Sequence, residues 1–290
     1  MATNTPFGQR LGLVLEGGAM RGIYTAGVLD VFLEAGIMPD VVVGVSAGAL
    51  HGCSYVAGQK GRSIRYYRKY RNDKHFMGLY SLLTTGDVVG TKFCYEDIPL
   101  RLDPFDEAAF EKAPVDFYVT VTNVRTGKPE YILCDELKVG SKMDVIRAGA
   151  SMPLCSKMVE WNGNLYLDGG VSDSIPYAKM KDFGCRKSIV VLTQPAGYLK
   201  QPAAMAPFEA MYRKYPAFVE AMRGRDQMYN TEVCAVEQAA KQGDVFLIRP
   251  SKLLHVGRME HDIEVLNAQY ELGRQDARNQ MDAMLSLIHI

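Results

Sequence analysis

The chain predicts an α/β fold around a mainly parallel sheet. Two observations carry this. The first sixty residues read strand, helix, strand, helix, an order that pairs strands in parallel and lays helices on the sheet faces. Each of these strands is a near-continuous aliphatic run, the mark of a strand buried on both sides. With 290 residues, of which 48% are hydrophobic, the chain can bury one large α/β core, with or without a small appendage.

The elements follow in order. Residues 11–15 are the first strand, and Glu16-Gly17-Gly18-Ala19-Met20-Arg21-Gly22 makes a Gly-rich turn. Tyr24, Val28, Val31 and Ala35 then recur at helical spacing, and Gly36 stops that helix. Residues 41–45 are the second strand and 47–57 the helix behind it. Residues 60–115 are less regular, with Gly61, Gly78, Gly86 and Gly90 interrupting a basic, tyrosine-rich stretch. Residues 117–121 read as a third strand by their Phe, Tyr, Val and Thr content, and 131–133 as a shorter one. A helix over 143–150 stops near Pro153, a short strand over 165–167 ends at Asp168-Gly169-Gly170, and 188–192 is another buried strand.

From Gln201 to Tyr229 the composition shifts to Pro, Met and aromatics, which predicts cap helices or a lid. Residues 245–248 return to strand character. Met259, Ile263, Leu266, Tyr270, Ala277, Met281 and Met284 then predict one long amphipathic terminal helix. The chain thus divides into a core over 8–200 and a cap and C-terminal helical region over 201–284, packed on the same domain. Residues 285–290 read as a non-native tail or as an ordinary apolar one, and His289 within them is given no function.

Composition excludes several classes of function. The formal net charge is zero, which argues against a nucleic-acid partner. No run of 18 apolar residues predicts a transmembrane helix, and the polar first ten residues do not resemble a secretory signal, so the cytoplasm is the expected place. The six cysteines include no C-x-x-C and read as free, mostly buried thiols of a reducing compartment. The five histidines include no H-x-x-x-H or H-E-x-x-H, so neither metal nor cofactor is expected.

Three loops carry the chemistry, each directly after a predicted strand, at the sheet edge where ligands of α/β proteins gather. Gly44-Val45-Ser46-Ala47-Gly48 is G-x-S-x-G at a strand-to-helix turn, where small residues on both sides let strand and helix approach and leave the serine exposed at the tip. The alternative is a helix-capping serine in a Gly-rich turn. Residues 17–22 offer consecutive backbone N–H groups at a helix start. Asp168 offers a carboxylate before two glycines. Acyl transfer needs a nucleophile, a base and donors for a developing oxyanion, and these loops supply one of each.

Taken together and in this order, Gly17-Gly18-Ala19-Met20-Arg21-Gly22, Gly44-Val45-Ser46-Ala47-Gly48 and Asp168-Gly169-Gly170 resemble the patatin-like phospholipase family. Ala148-Gly149-Ala150-Ser151-Met152-Pro153 resembles the segment before that family's aspartate. The resemblance spans roughly 11–195. It implies a three-layer α/β/α fold and a Ser–Asp dyad hydrolysing acyl esters of lipids. Ser46 would be the nucleophile, Asp168 the base, and the amides of Gly17, Gly18 and Ala19 the oxyanion hole. Ala19 departs from the family's usual third glycine, and its Cβ disfavours positive φ.

Rival readings stay open at this point. A free Asp is acidic for a base that must deprotonate serine, so a Ser–Asp–His triad through His255 or His261 is the alternative, in the chain order of an α/β-hydrolase. A catalytically silent lipid-binding or regulatory module is another. A dinucleotide site at the glycine loop lacks the acidic residue due at the end of the second strand. Lys60, Arg62, Arg65, Arg68, Lys69, Arg71 and Lys74 could dock the protein on anionic lipid, or form a solvated helix face with tyrosines packed inward. Met205, Met211, Met222 and Met228, with Phe208, Tyr212, Tyr215 and Phe218, could line an acyl pocket or pack as ordinary helices. Arg21 could orient the glycine loop or meet a phosphate. Asp173 reads as a turn residue.

Overall fold

The computed structural model describes residues 8–288. Its centre is an eight-stranded sheet of order β5-β6-β3-β2-β1-β7-β8, with β4 paired to β3. The strands are β1 (Arg10–Leu15), β2 (Val41–Val45), β3 (Asp116–Asn123), β4 (Pro129–Leu133), β5 (Val159–Trp161), β6 (Asn164–Asp168), β7 (Cys185–Val191) and β8 (Val245–Ile248). β3, β2, β1, β7 and β8 run parallel, whereas β4 and β6 run antiparallel to β3.

Side chains alternate across the pleat and so feed two cores. Leu13, Leu15, Val42, Phe117, Val119, Ile189 and Val191 face one side. Val14, Val41, Val43 and Val190 face the other. On the first side lie α1 (Ile23–Glu34) and α2 (Ala47–Val56), followed in the chain by α3 (Arg62–Tyr70), α4 (Leu79–Thr85), α5 (Glu107–Lys112) and α6 (Met143–Gly149), of which α5 and α6 pack on the same side. A π-helical segment, Phe93–Leu102, lies between α4 and α5. Then come α7 (Ala206–Met211), α8 (Pro216–Arg223), α9 (Arg225–Gln242), α10 (Ile263–Asn279) and α11 (Met281–Ile288). α9 covers the second face with Tyr229, Val236 and Ala239. The result is helices, sheet, helices.

α10 crosses α1 at glycines. A Cβ on Gly27 would lie 2.1 Å from the Tyr270 carbonyl oxygen, and one on Gly273 would lie 2.1 Å from that of Tyr24. The contact is reciprocal: Tyr24 Oη donates to Asp276 at 3.1 Å and Tyr270 Oη donates to Asp30 at 2.6 Å. Gly27→Val should therefore cost at least about 1–3 kcal/mol, since neither backbone can yield. The denaturant midpoint reads this, and an unchanged midpoint would refute the close crossing.

Three expectations need correction. The terminal helix begins at Ile263, where the Asp262 side chain accepts from the Glu264 amide at 2.9 Å, and it breaks at Gln280 into α10 and α11. Residues 60–115 are mainly helical, not irregular. The basic stretch over 60–74 is not one cationic surface. Arg62 and Arg71 are buried, as are Tyr66, Tyr67 and Tyr70. Arg62 donates to the Asp103 carbonyl at 2.9 Å and to Ser54 Oγ at 3.1 Å, and Arg65 donates to the Asp103 carboxylate at 2.7 Å. Charge reversal at Arg62 would therefore disturb packing before it tested any membrane. Among the described residues no helix is long and apolar enough to cross a membrane. Leu285 and Ile288, in the segment read as a tail, lie on α11 against the core, while His289 and Ile290 lie outside the described residues.

Candidate active site

Ser46 stands between β2 and α2 with φ 52° and ψ −123°, a conformation that costs a non-glycine residue about 1–3 kcal/mol. The turn is this sharp because the strand and helix nearly touch. A Cβ on Gly44 would lie 2.5 Å from Ala49 Cα, and one on Gly48 2.3 Å from the Leu15 carbonyl oxygen. The serine does not cap α2. Its Oγ instead donates to Asp168 Oδ2 at 2.6 Å, across 122 residues of sequence.

Strand order makes that meeting possible. β3 lies between β2 and β6, pairing Thr120 with Val45 and Val121 with Asp168. Asp168 Oδ1 accepts from the Gly170 amide at 2.8 Å, and Thr122 Oγ1 donates to the Asp168 carbonyl at 2.8 Å. The carboxyl is buried. Desolvation pushes its pKa above the usual value, against the opposing pull of the Ser46 hydrogen bond and the Arg225 charge.

The glycine loop closes over the same place. Thr193, just past β7, fixes it from below: its Oγ1 donates to the Gly17 carbonyl at 2.8 Å and its amide to Glu16 Oε2 at 2.5 Å. Ala19 adopts φ 50°, so the loop keeps a glycine-like conformation despite the methyl group. Among the described residues the amides of Gly17, Gly18 and Ala19 donate to no protein acceptor. Gly22 presses on α2, where a Cβ would lie 2.6 Å from that of Ala47. Gly169 leaves no room beside the Thr120 carbonyl oxygen, 2.2 Å from where its Cβ would be.

Two cavities meet at Ser46, Ala19 and Met152. One, of about 110 Å³, is apolar and lined by Leu50, Tyr66, Tyr67, Phe76, Ile98 and Met143 among others. The other, of about 200 Å³, holds Gly17, Gly18, Arg21, Asp168, Lys200 and Arg225. The apolar cavity is thus built by α2, α3, the π-helical segment and α6, not by the Met-rich stretch after 201. From that stretch Phe208 and Met222 line the polar cavity, while Tyr212 and Phe218 pack with Val124 and Leu167. Cys155 also reaches the polar cavity.

The histidine alternative does not assemble. His255 and His261 are both exposed, and of that segment it is Arg258 and Met259 that reach the cavity. His51 is buried on α2, where desolvation lowers its pKa to about 4, and Nδ1 lies 3.0 Å from Ser63 Oγ. Asp173 accepts from Tyr131 Oη, and burial raises its pKa beside Glu232. Sequence reasoning missed Thr193, Lys200, Arg225 and Arg258. Among the described residues no cluster of His, Cys, Asp and Glu is arranged to hold a metal.

Residues 215–289 match a domain of unknown function, DUF6363. The uncharacterized protein YjjU of Escherichia coli is 28% identical over 273 residues, covering 91% of this chain and 75% of that protein. The lysophospholipase NTE1 of Saccharomyces cerevisiae is 30% identical over 190 residues, or 63% of this chain, and the match spans only 11% of the yeast protein's length. VipD from Legionella pneumophila aligns in structure over 95% of this chain and 67% of its own, with a TM-score of 0.49 and 14% identity. Residues 13–180, more than half the chain, match the family of patatin-like phospholipases. The chain belongs to the patatin-like phospholipase family.

Proposed function

We propose that this protein is a serine hydrolase of lipid carboxylic esters, with Ser46 as nucleophile and Asp168 as base. One observation carries the reading: the 2.6 Å hydrogen bond from Ser46 Oγ to Asp168 Oδ2, on a strained turn where two cavities meet. Ser46 Oγ attacks the ester carbonyl carbon as its proton passes to Asp168. The carbonyl oxygen gains the charge and is met by the amides of Gly17, Gly18 and Ala19, each such donor being worth about 10²–10³ in rate. Asp168 then returns the proton to the leaving alcohol; water, deprotonated by Asp168, attacks the acyl group, and Asp168 passes that proton to Ser46 Oγ as the acyl group leaves. Burial makes Asp168 a stronger base than a free aspartate, which narrows the mismatch with a serine hydroxyl. The similarity to proteins named lysophospholipases supports the ester class. An alkyl fluorophosphonate probe should label Ser46 in the folded protein and not in Ser46→Ala. An unlabelled wild type that also leaves a panel of acyl esters intact would favour the silent lipid-binding module.

A further inference from the structure

The polar cavity holds more positive charge than ester cleavage uses. Arg21, Lys200, Arg225 and Arg258 line it, against two carboxyl groups, Glu16 and Asp168. Both acids are occupied: Asp168 by Ser46 and Gly170, Glu16 by the Thr193 amide. Burial raises the pKa of each. None of the four cations forms an ion pair among the described residues.

Two of the cations, Arg225 and Lys200, are nonetheless held in place. Arg225 Nε donates to the Gly170 carbonyl at 2.5 Å, which leaves its two terminal nitrogens without a protein acceptor among the described residues. The backbone of Lys200 is clamped by Asn230, whose Oδ1 accepts from its amide at 2.9 Å and whose Nδ2 donates to its carbonyl at 3.1 Å. The Lys200 ammonium sits 3.8 Å from the centroid of the Tyr229 ring. Arg21 Nε is buried without a partner. Burial and the neighbouring Arg225 lower Lys200 to about 7. Fixed, unpaired guanidinium and ammonium donors in a concave site are what a phosphate group requires.

Position relative to Ser46 assigns the group. With the ester carbonyl at Ser46, an acyl chain fits the apolar cavity and the leaving alcohol faces the cations. We infer that the cavity bounded by Lys200, Arg225 and Arg258 is a leaving-group subsite for a phosphate that carries no amine cation, so that the substrates are acyl esters of anionic glycerophosphates. This rests on the hydrolase reading above. All three residues follow the segment 13–180, and Arg225 and Arg258 lie within 215–289. The C-terminal region thereby selects what the dyad cleaves.

The test compares kcat/KM for three single-chain esters that share one acyl chain: lysophosphatidylglycerol, lysophosphatidylcholine and monoacylglycerol. The anionic ester should lead both others by about tenfold or more, the scale of a lost charge-assisted hydrogen bond. Its advantage over monoacylglycerol should fall about tenfold in Lys200→Met and in Arg258→Glu. Arg258 is exposed, so that variant is not open to the objection of misfolding. Equal rates on the three esters, or an advantage unchanged in both variants, would overturn the subsite. Calorimetry of glycerol 3-phosphate with Ser46→Ala reads the site without turnover. Binding that weakens in Arg258→Glu, with no ester cleaved by the wild type, would refute the hydrolase reading and keep the anion site. Cleavage with neither selectivity nor binding would do the reverse. Inorganic phosphate bound as tightly as glycerol phosphate, with no ester preference, would assign the site to a free anion and overturn the substrate proposal.

Discussion

Ser46→Ala should lower ester hydrolysis by about four to six orders of magnitude, with the fold intact. The size follows from the proposed chemistry, because without Oγ there is no covalent intermediate and only the oxyanion donors and substrate positioning remain. A companion variant separates catalysis from structure. At φ 52° the serine is strained and its hydroxyl caps no helix, so Ser46→Gly removes strain without removing a cap. It should be as inactive as Ser46→Ala and more stable than Ser46→Ala by about 1–3 kcal/mol, since both lose the hydrogen bond to Asp168 and only glycine relieves the strained φ. Activity is read with a chromogenic ester, stability by denaturant unfolding. A Ser46→Ala protein retaining a tenth of wild-type turnover would remove Ser46 from the mechanism.

What the sequence shows best is what is local. Each of the three motif loops is a few consecutive residues after an aliphatic strand, so the turn, its glycines and its neighbour in the sheet can be read together. The pairing of Ser46 with Asp168 is implied by the family resemblance; the structure accounts for it through strand order, because β3 pairs with the strands that carry both. What is not local was misread. Gly61, Gly78 and Gly86, all at positive φ, mark breaks between short helices, which the sequence shows only as a less regular stretch. Tyr66 and Tyr67, among the basic residues of α3, face the apolar cavity, while Arg62 beside them pairs with Asp103. Gln280 breaks the last helix without a proline or glycine to announce it, and the apolar spacing runs on across the break.

The cations of the polar cavity had no sequence signal at all. Lys200, Arg225 and Arg258 are single residues on separate segments. They converge because α9 lies across the sheet face and because β8 returns the chain beside β7, bringing the segment after it to the site. No window of sequence contains that geometry.

Asp168→Asn should cost about 10⁴ in turnover, and should do so without destabilising the protein. The two halves come from one physical cause. The buried carboxyl has its pKa raised above the unfolded value of about 3.9, mainly by desolvation. The folded state therefore binds this proton more tightly than the unfolded state does. The stability it contributes is fully present below the unfolded pKa and is lost as pH rises through the folded one. At neutral pH the ionised Asp168 is a charge the fold tolerates at a cost. Asparagine keeps the shape, its Oδ1 can accept from the Gly170 amide while its Nδ2 donates to Ser46 Oγ, and it removes the charge, so its melting temperature at pH 7 should equal or exceed that of wild type. It cannot take a proton from Ser46, so turnover is lost. The wild-type kcat/KM profile should show an acid limb whose midpoint lies above the ordinary carboxylate range, since only the ionised form is a base. A limb at the free-aspartate value would remove Asp168 from that role. So would an Asn variant that loses activity only in proportion to lost folding. The charge that costs the fold stability is the same charge that makes Asp168 a base, and the two measurements read it from opposite sides.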